Sequence, residues 1–230
     1  MSYELREDLQ WISQRIKPKS HILDLGCGTG SLLENLMREK QCTGYGVEID
    51  TEKVIKAMAR KINVIQANLE DGLKNFDDNS FDMVIFSQTI QSMKNTETIL
   101  RDTMRVASAA IVTFPNFGYW RNRVQLALGG HMPVSENMPY QWFDTPNIHW
   151  CTLQDFDLLC EKNHIRILER TVMSNGKTVN RMPNLLGSLA MYRIGHSWWR
   201  VFRLLFQAAW KMFVKKTPAK PVILSWAQYS

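Results

Sequence analysis

Metal and disulfide chemistry have little to work with in this 230-residue chain. Its four cysteines, at 27, 42, 151 and 160, form no CxxC pair, and its five histidines are scattered. No structural zinc is expected, and the thiols read as reduced, buried groups of a cytosolic protein. The opening run MSYELREDLQWISQRIK holds neither a long apolar core nor a small-residue cleavage site, so no secretory leader is expected. A G-x-S-x-G elbow is missing too, which excludes an α/β-hydrolase nucleophile. Acid is absent from the last stretch: residues 171 to 230 hold nine Lys and Arg and no Asp or Glu. Residues 1 to 170 hold 19 basic against 22 acidic residues. The net charge of +6 therefore belongs to the tail, which argues against nucleic-acid binding by the main domain.

What is present is an alternation of apolar strands and amphipathic helices. Leu5, Leu9, Ile12 and Ile16 lie at helical spacing and Pro18 stops the run. Strands are expected over 20–25, 42–49, 63–67, 81–87 and 109–115. Helices are expected over 31–39, from Thr51 as N-cap, and over about 95–106. Parallel strands need crossovers, so this order predicts a mostly parallel sheet covered on both faces. Residues 115–150 break the rhythm with prolines 115, 133, 139 and 146 and seven aromatics, among them Trp120, Tyr140, Trp142 and Phe143. Too aromatic for a linker, this insertion is expected to close over a site or to form an interface. TLQDFDLLCEKN (152–163) then starts like a capping box at Thr152 and Asp155. Strands over 165–173 and 185–194, joined by a polar turn, predict an antiparallel edge hairpin.

The stretch HILDLGCGTG puts Gly26, Gly28 and Gly30 straight after the first strand and ahead of a helix. Ligands of parallel sheets settle at such carboxyl ends, although a glycine loop alone is a weak motif. Its spacing is GxGxG and fails the GxGxxG dinucleotide pattern. Glu48, at the end of strand two, can accept both ribose hydroxyls of an adenosine; Asp50 competes for that role. Asp24 would repel a pyrophosphate but suit a cationic amino-acid ligand, or could serve only to tie down its own loop. Together these features favour S-adenosylmethionine, or S-adenosylhomocysteine, over NAD. The expected contacts are Asp24, Gly26, Cys27, Gly28, Gly30, Glu48, Ile49, Asn68, Leu69 and Ser87, with Gln88 beside them and Cys27 as a packing residue. No acid–base pair is evident among Asn116, His131, Tyr140 and His149, and Asn116 does not sit in an Asn-Pro-Pro-Tyr signature. No catalytic residue is therefore assigned.

HILDLGCGTGSLLENL, GYGVEID and FDMVIFSQTIQ resemble class I S-adenosylmethionine-dependent methyltransferases. The block holding TFPNFGYWR, MPVS and TPNIHWCT is more specific: over about residues 3 to 194 the chain closely resembles the MetW family of methionine-biosynthesis proteins. That resemblance implies an α/β, Rossmann-like class I methyltransferase fold with a mostly parallel seven-stranded sheet and an antiparallel edge hairpin; a C-terminal helical extension is expected beyond the part it covers. It also implies a partner, a MetX-type homoserine O-acyltransferase whose activity this chain would support. The alternative is an independent methyltransferase acting on a small-molecule or lipid-like acceptor.

The expected division is a methyltransferase-like domain at 1–195 and an extension at 196–230. In the latter, Arg200, Arg203, Gln207, Lys211 and Lys215 fall on one polar stripe amid Trp198, Trp199, Phe202, Phe206, Trp210 and Phe213. It is too charged and too short to span a membrane. A basic, Trp-rich helix over 196–215 can pack on its own domain, lie on a membrane surface or meet an acidic partner. Cytoplasmic location, with peripheral membrane contact as one use of the tail, is the expectation.

Overall fold

The computed structural model describes residues 6–196. The elements run α1 (Glu7–Arg15), β1 (His21–Leu25), α2 (Ser31–Lys40), β2 (Thr43–Glu48), α3 (Thr51–Ala59), β3 (Val64–Gln66), β4 (Phe81–Ser87), α4 (Thr96–Val106), β5 (Ala107–Pro115), α5 (Trp120–Gly129), α6 (Leu153–Lys162), β6 (Ile165–Ser174), β7 (Lys177–Thr178), α7 (Pro183–Leu186) and β8 (Leu189–His196). Short 3-10 turns at Leu69–Asp71 and Ile90–Ser92 follow β3 and β4. The extension called over 196–230 lies outside the described residues beyond His196, and with it the membrane-contact reading of 196–215. Among the described residues no helix is long and apolar enough to cross a membrane.

One sheet orders its strands β3-β2-β1-β4-β5-β8-β6-β7. The first five pair in parallel, and β8 runs antiparallel to both β5 and β6. The strand order reverses at β1, whose neighbours are β2 on one side and β4 on the other. Two apolar layers cover the faces. Ile22, Ile85, Ile111 and Met191 meet Ile12, Leu33 and Ala57 of α1, α2 and α3 on one face. On the other, Leu23, Val84, Val112 and Tyr192 meet Leu100 and Met104 of α4 and Phe156 of α6. The central strands are buried on both faces, so burial of one leucine or isoleucine stabilises by about 1.5–3 kcal/mol.

The sheet departs from the sequence expectation in three places. It has eight strands rather than seven, because the polar turn contains its own hairpin. Asn175 and Gly176 take φ of 48° and 72°, which lets β7 fold back on β6. The strand expected at 185–194 begins later, at Leu189, since Pro183 opens the short helix α7. That strand also lies inside the sheet. Ala190, Met191, Tyr192 and Ile194 are buried on both faces, which only an interior position allows. Tyr192 stacks on Phe114 and donates its hydroxyl to Asp157 Oδ1 at 2.8 Å. The Thr152–Asp155 capping box forms as read. At α3, however, the cap is Asp50 rather than Thr51: its Oδ1 accepts from the backbone N–H of Glu52 at 2.9 Å.

Candidate functional site

The carboxyl ends of β3, β2, β1 and β4 bring the residues named from sequence to one edge of the sheet. The glycine loop is fastened from below. Gly26 and Cys27 donate their backbone N–H groups to Val47 O at 2.8 and 3.1 Å, and Gly30 donates to Cys27 O at 3.0 Å before opening α2. Two of the glycines differ in what requires them. At Gly26, φ is +74° and an added Cβ would meet the Thr89 side chain at 2.5 Å. At Gly28, φ is +56° and an added Cβ would meet nothing within 4 Å. Gly26 is fixed by the fold, whereas Gly28 borders open space against which a ligand can lie.

Cys27 belongs to the packing. A Cβ added to Gly46 would lie 2.4 Å from its sulfur, so the thiol fills the place of a missing side chain on β2. Burial, with the Asp24 and Glu48 carboxylates adding to it, pushes its pKa up to about 12, leaving no thiolate for nucleophilic work. Cys42 and Cys160 are also buried, while Cys151 is only partly so.

The two carboxylates differ in how they are used. Glu48, 7% exposed, accepts from Gly28 N at 2.9 Å through Oε2, and from Ile49 N and Asp50 N at 3.0 and 3.1 Å through Oε1. It thereby ties the end of β2 to the glycine loop. Asp50 caps α3 through its side chain. Asp24 is 2% exposed and its Oδ1 has no hydrogen-bond partner. Burial, then the nearby Glu48 charge, raise its pKa to about 7; the Arg6 guanidinium pulls the other way. A buried acceptor without a donor costs about 1–3 kcal/mol, which a cationic or hydrogen-bonding group placed there would relieve.

Asn68 caps the turn after β3, its Oδ1 accepting from Glu70 N at 3.0 Å, which engages its oxygen and leaves the amide nitrogen. Leu69 is buried in the core layer, and Ile49 is exposed beside Glu48. Ser87 ends β4, and Gln88 follows with φ of 54°. Helix α1 contributes two residues that the sequence reading did not assign to the site. Asp8, 1% exposed, accepts from Ser87 Oγ at 3.1 Å and from Gln88 Nε2 at 3.3 Å. Arg6 donates to Asp8 and to Ser87. Their one sequence signal was polarity at the start of an otherwise apolar helix face. Arg6, Asp8, Ser87 and Gln88 line a cavity of about 640 Å3 with Lys53 and Gln91.

The aromatic insertion divides into anchors and exposed rings. Asn116 is fully buried: its amide donates to Asn184 O and Gly187 O, and its Oδ1 accepts from Gly118 N. Phe117 packs on Trp150, and Tyr119 is buried. Trp142 and Phe143 are 72% and 71% exposed. His149 Nε2 pairs with Lys94 O and His131 Nδ1 with Met132 O. No hydrogen bond joins any two of Asn116, His131, Tyr140 and His149.

With this geometry in view, similarity to known proteins is informative. The sequence family described as "Methionine biosynthesis protein MetW" matches residues 6–194. A "Bifunctional methionine biosynthesis protein MetXA/MetW" of Rhodopirellula baltica is 34% identical over 169 residues, covering 69% of this chain. The match spans only 27% of that relative's length. Among solved structures, a SAM-dependent methyltransferase from Archaeoglobus fulgidus has a TM-score of 0.59 at 16% identity, covering 81% of this chain and 94% of that one. One from Thermotoga maritima has a TM-score of 0.59 at 18% identity, covering 82% and 87%. The [4+2]-cyclase SpnF is as similar, with a TM-score of 0.60 at 16% identity, covering 82% and 80%. These likenesses describe the fold, a methyltransferase architecture that also carries other chemistry.

Proposed function

The chain belongs to the MetW family of methionine biosynthesis proteins, and from that premise we propose that it is an S-adenosylmethionine-binding partner of a MetX-type homoserine O-acyltransferase. The partner half of this reading is carried by the relative in which MetXA and MetW are one polypeptide. Two activities fused in one chain work at fixed proximity, and separate chains serving the same step need to associate.

The ligand half rests on Asp24 Oδ1, a buried acceptor without a donor, beside a glycine loop that is open at Gly28. The residues present fit an adenosyl sulfonium. Glu48 accepts three hydrogen bonds and has about one lone-pair site left for a ribose hydroxyl, the Gly28 backbone lets the ligand approach, and Asp24 meets a positive group. When bound, S-adenosylmethionine supplies a methyl group activated on a sulfonium. The chain's own residues hold and orient: Glu48 and the loop fix the nucleoside end, and Ser87 and Gln88 border the other end. In the aromatic insertion the Asn116 amide is spent on structure, bonding Asn184 O, Gly187 O and Gly118 N. This favours a binding and supporting role over independent methyl transfer.

The decisive measurement is homoserine O-acylation by the purified acyltransferase, with and without this chain, and with S-adenosylmethionine added. A rise on adding the chain, and co-purification of the two, is the expected outcome. Unchanged acyl transfer together with turnover of S-adenosylmethionine by the chain alone would instead identify an independent methyltransferase.

A further inference from the structure

A second cavity, of about 650 Å3, opens between the first turns of α4 and α6. Of the residues that line it, only Gln91 also lines the 640 Å3 cavity beside the glycine loop. Ile90, Phe156 and Leu159 make its apolar wall. Burial, with the Asp155 carboxylate adding to it, pushes the Cys151 pKa up to about 12, so that thiol is a neutral part of the wall. The rim is held in place before any ligand arrives. Gln91 O accepts from Ile148 N and His149 N, both at 2.9 Å, and His149 Nε2 donates to Lys94 O at 3.2 Å. The end of the aromatic insertion is thereby fastened to the turn after β4. Preformed, largely apolar cavities of this size are where small organic ligands bind.

The charges at the rim decide what kind of ligand fits. Both carboxylates there are already engaged. Glu97 is paired with Arg101 and Lys162, and Asp155 Oδ2 accepts from Thr152 N and Thr152 Oγ1, each at 2.8 Å. The Lys94 ammonium, by contrast, pairs with no carboxylate among the described residues. Asn95, the N-cap residue of α4, makes no side-chain cap bond, because its amide donates to Glu70 Oε2 at 2.9 Å instead. The first turn of this 11-residue helix is therefore uncapped where Thr96, Glu97 and Thr98 line the cavity. Uncapped N–H groups at a helix start favour an anion, and Lys94 adds a full positive charge. We propose that this cavity binds an amphipathic organic anion. Its carboxylate or phosphate lies at Lys94 and the start of α4, and its apolar body lies against Ile90, Phe156 and Leu159. Gln91, 7% exposed and with no partner for its Oε1, gives such a ligand a further attachment point for a hydroxyl or amide N–H. This site stands apart from the adenosyl reading and does not depend on it.

The test is a ligand-observed NMR titration of the full chain with hexanoate, hexyl phosphate and hexanol, with and without S-adenosylhomocysteine. At least one anion should bind under both conditions, and hexanol about tenfold more weakly; the ratio of the two anions assigns the head group. Lys94→Gln should weaken the anion by about threefold to tenfold. Thr98→Glu places a carboxylate at the third position of α4, which suits the helix but competes for its N–H groups. That variant should keep its melting temperature and weaken the anion by about tenfold or more. Hexanol binding as tightly as the anions would overturn the proposal, as would anion binding that survives Thr98→Glu, or no binding of either anion. Displacement of the anion by S-adenosylhomocysteine would place it in the other cavity and overturn the proposal too.

Discussion

Asp24 is subject to opposing demands, since a carboxylate suited to a cation is costly without one. In the folded chain it holds its proton up to about pH 7, against 3.8 in an open chain. Between those values the native state binds the extra proton, so this group makes stability fall as pH rises from about 4 to 7. Above about pH 7 the cost stays constant. Asp24→Asn should therefore raise the melting temperature of the ligand-free chain at pH 8 and little at pH 4, by a stability increment of about 1–4 kcal/mol. The same substitution should weaken S-adenosylmethionine. For the parent chain, affinity should drop roughly tenfold per unit as pH falls below 7, with a proton released on binding that calorimetry in two buffers can count. Pair the two loop glycines and another contrast appears. Gly28→Ala should melt within about 1–2 kcal/mol of the parent yet lose most ligand affinity, since the new methyl enters open space. Gly26→Ala should lose stability by more, because Thr89 stands 2.5 Å from the added carbon. Equal melting of the two variants would contradict this division.

Elements differ in how openly the sequence declared them. The parallel core was legible because β1, β4 and β5 are near-continuous apolar runs set between helices with clear polar faces. The positions of Glu48 and the glycine loop at strand ends were legible from the same pattern. The interior place of β8 was harder to see: LLGSLAMYRI is as apolar as β5, but hairpin logic puts consecutive strands side by side at an edge. Burial of Tyr192, with its hydroxyl bonded to Asp157, is a tertiary fact that periodicity does not carry. Arg6 and Asp8 were missed because their role depends on α1 folding across the sheet onto Ser87, 79 residues beyond Asp8. Local signals did locate the α6 start. Thr152→Ala should remove the N-cap acceptor of Asp155 N and lower stability by about 1 kcal/mol, read as a shift in the urea midpoint with unchanged slope.

At the scale of the whole molecule, the last strand among the described residues arrives in the middle of the sheet. β5 and β6 are both paired to β8 rather than to each other. While a ribosome is still producing the segment before Leu189, the chain has two facing sets of unpaired backbone groups and a hairpin with nowhere to dock. Open edges of this kind recruit other chains. Only when residues 189–196 emerge can the sheet close, and β8 then fills the gap as a keystone joining the parallel part to the β6–β7 hairpin. β8 therefore joins the two halves of the sheet, and without it the β6–β7 hairpin has no strand to pair with.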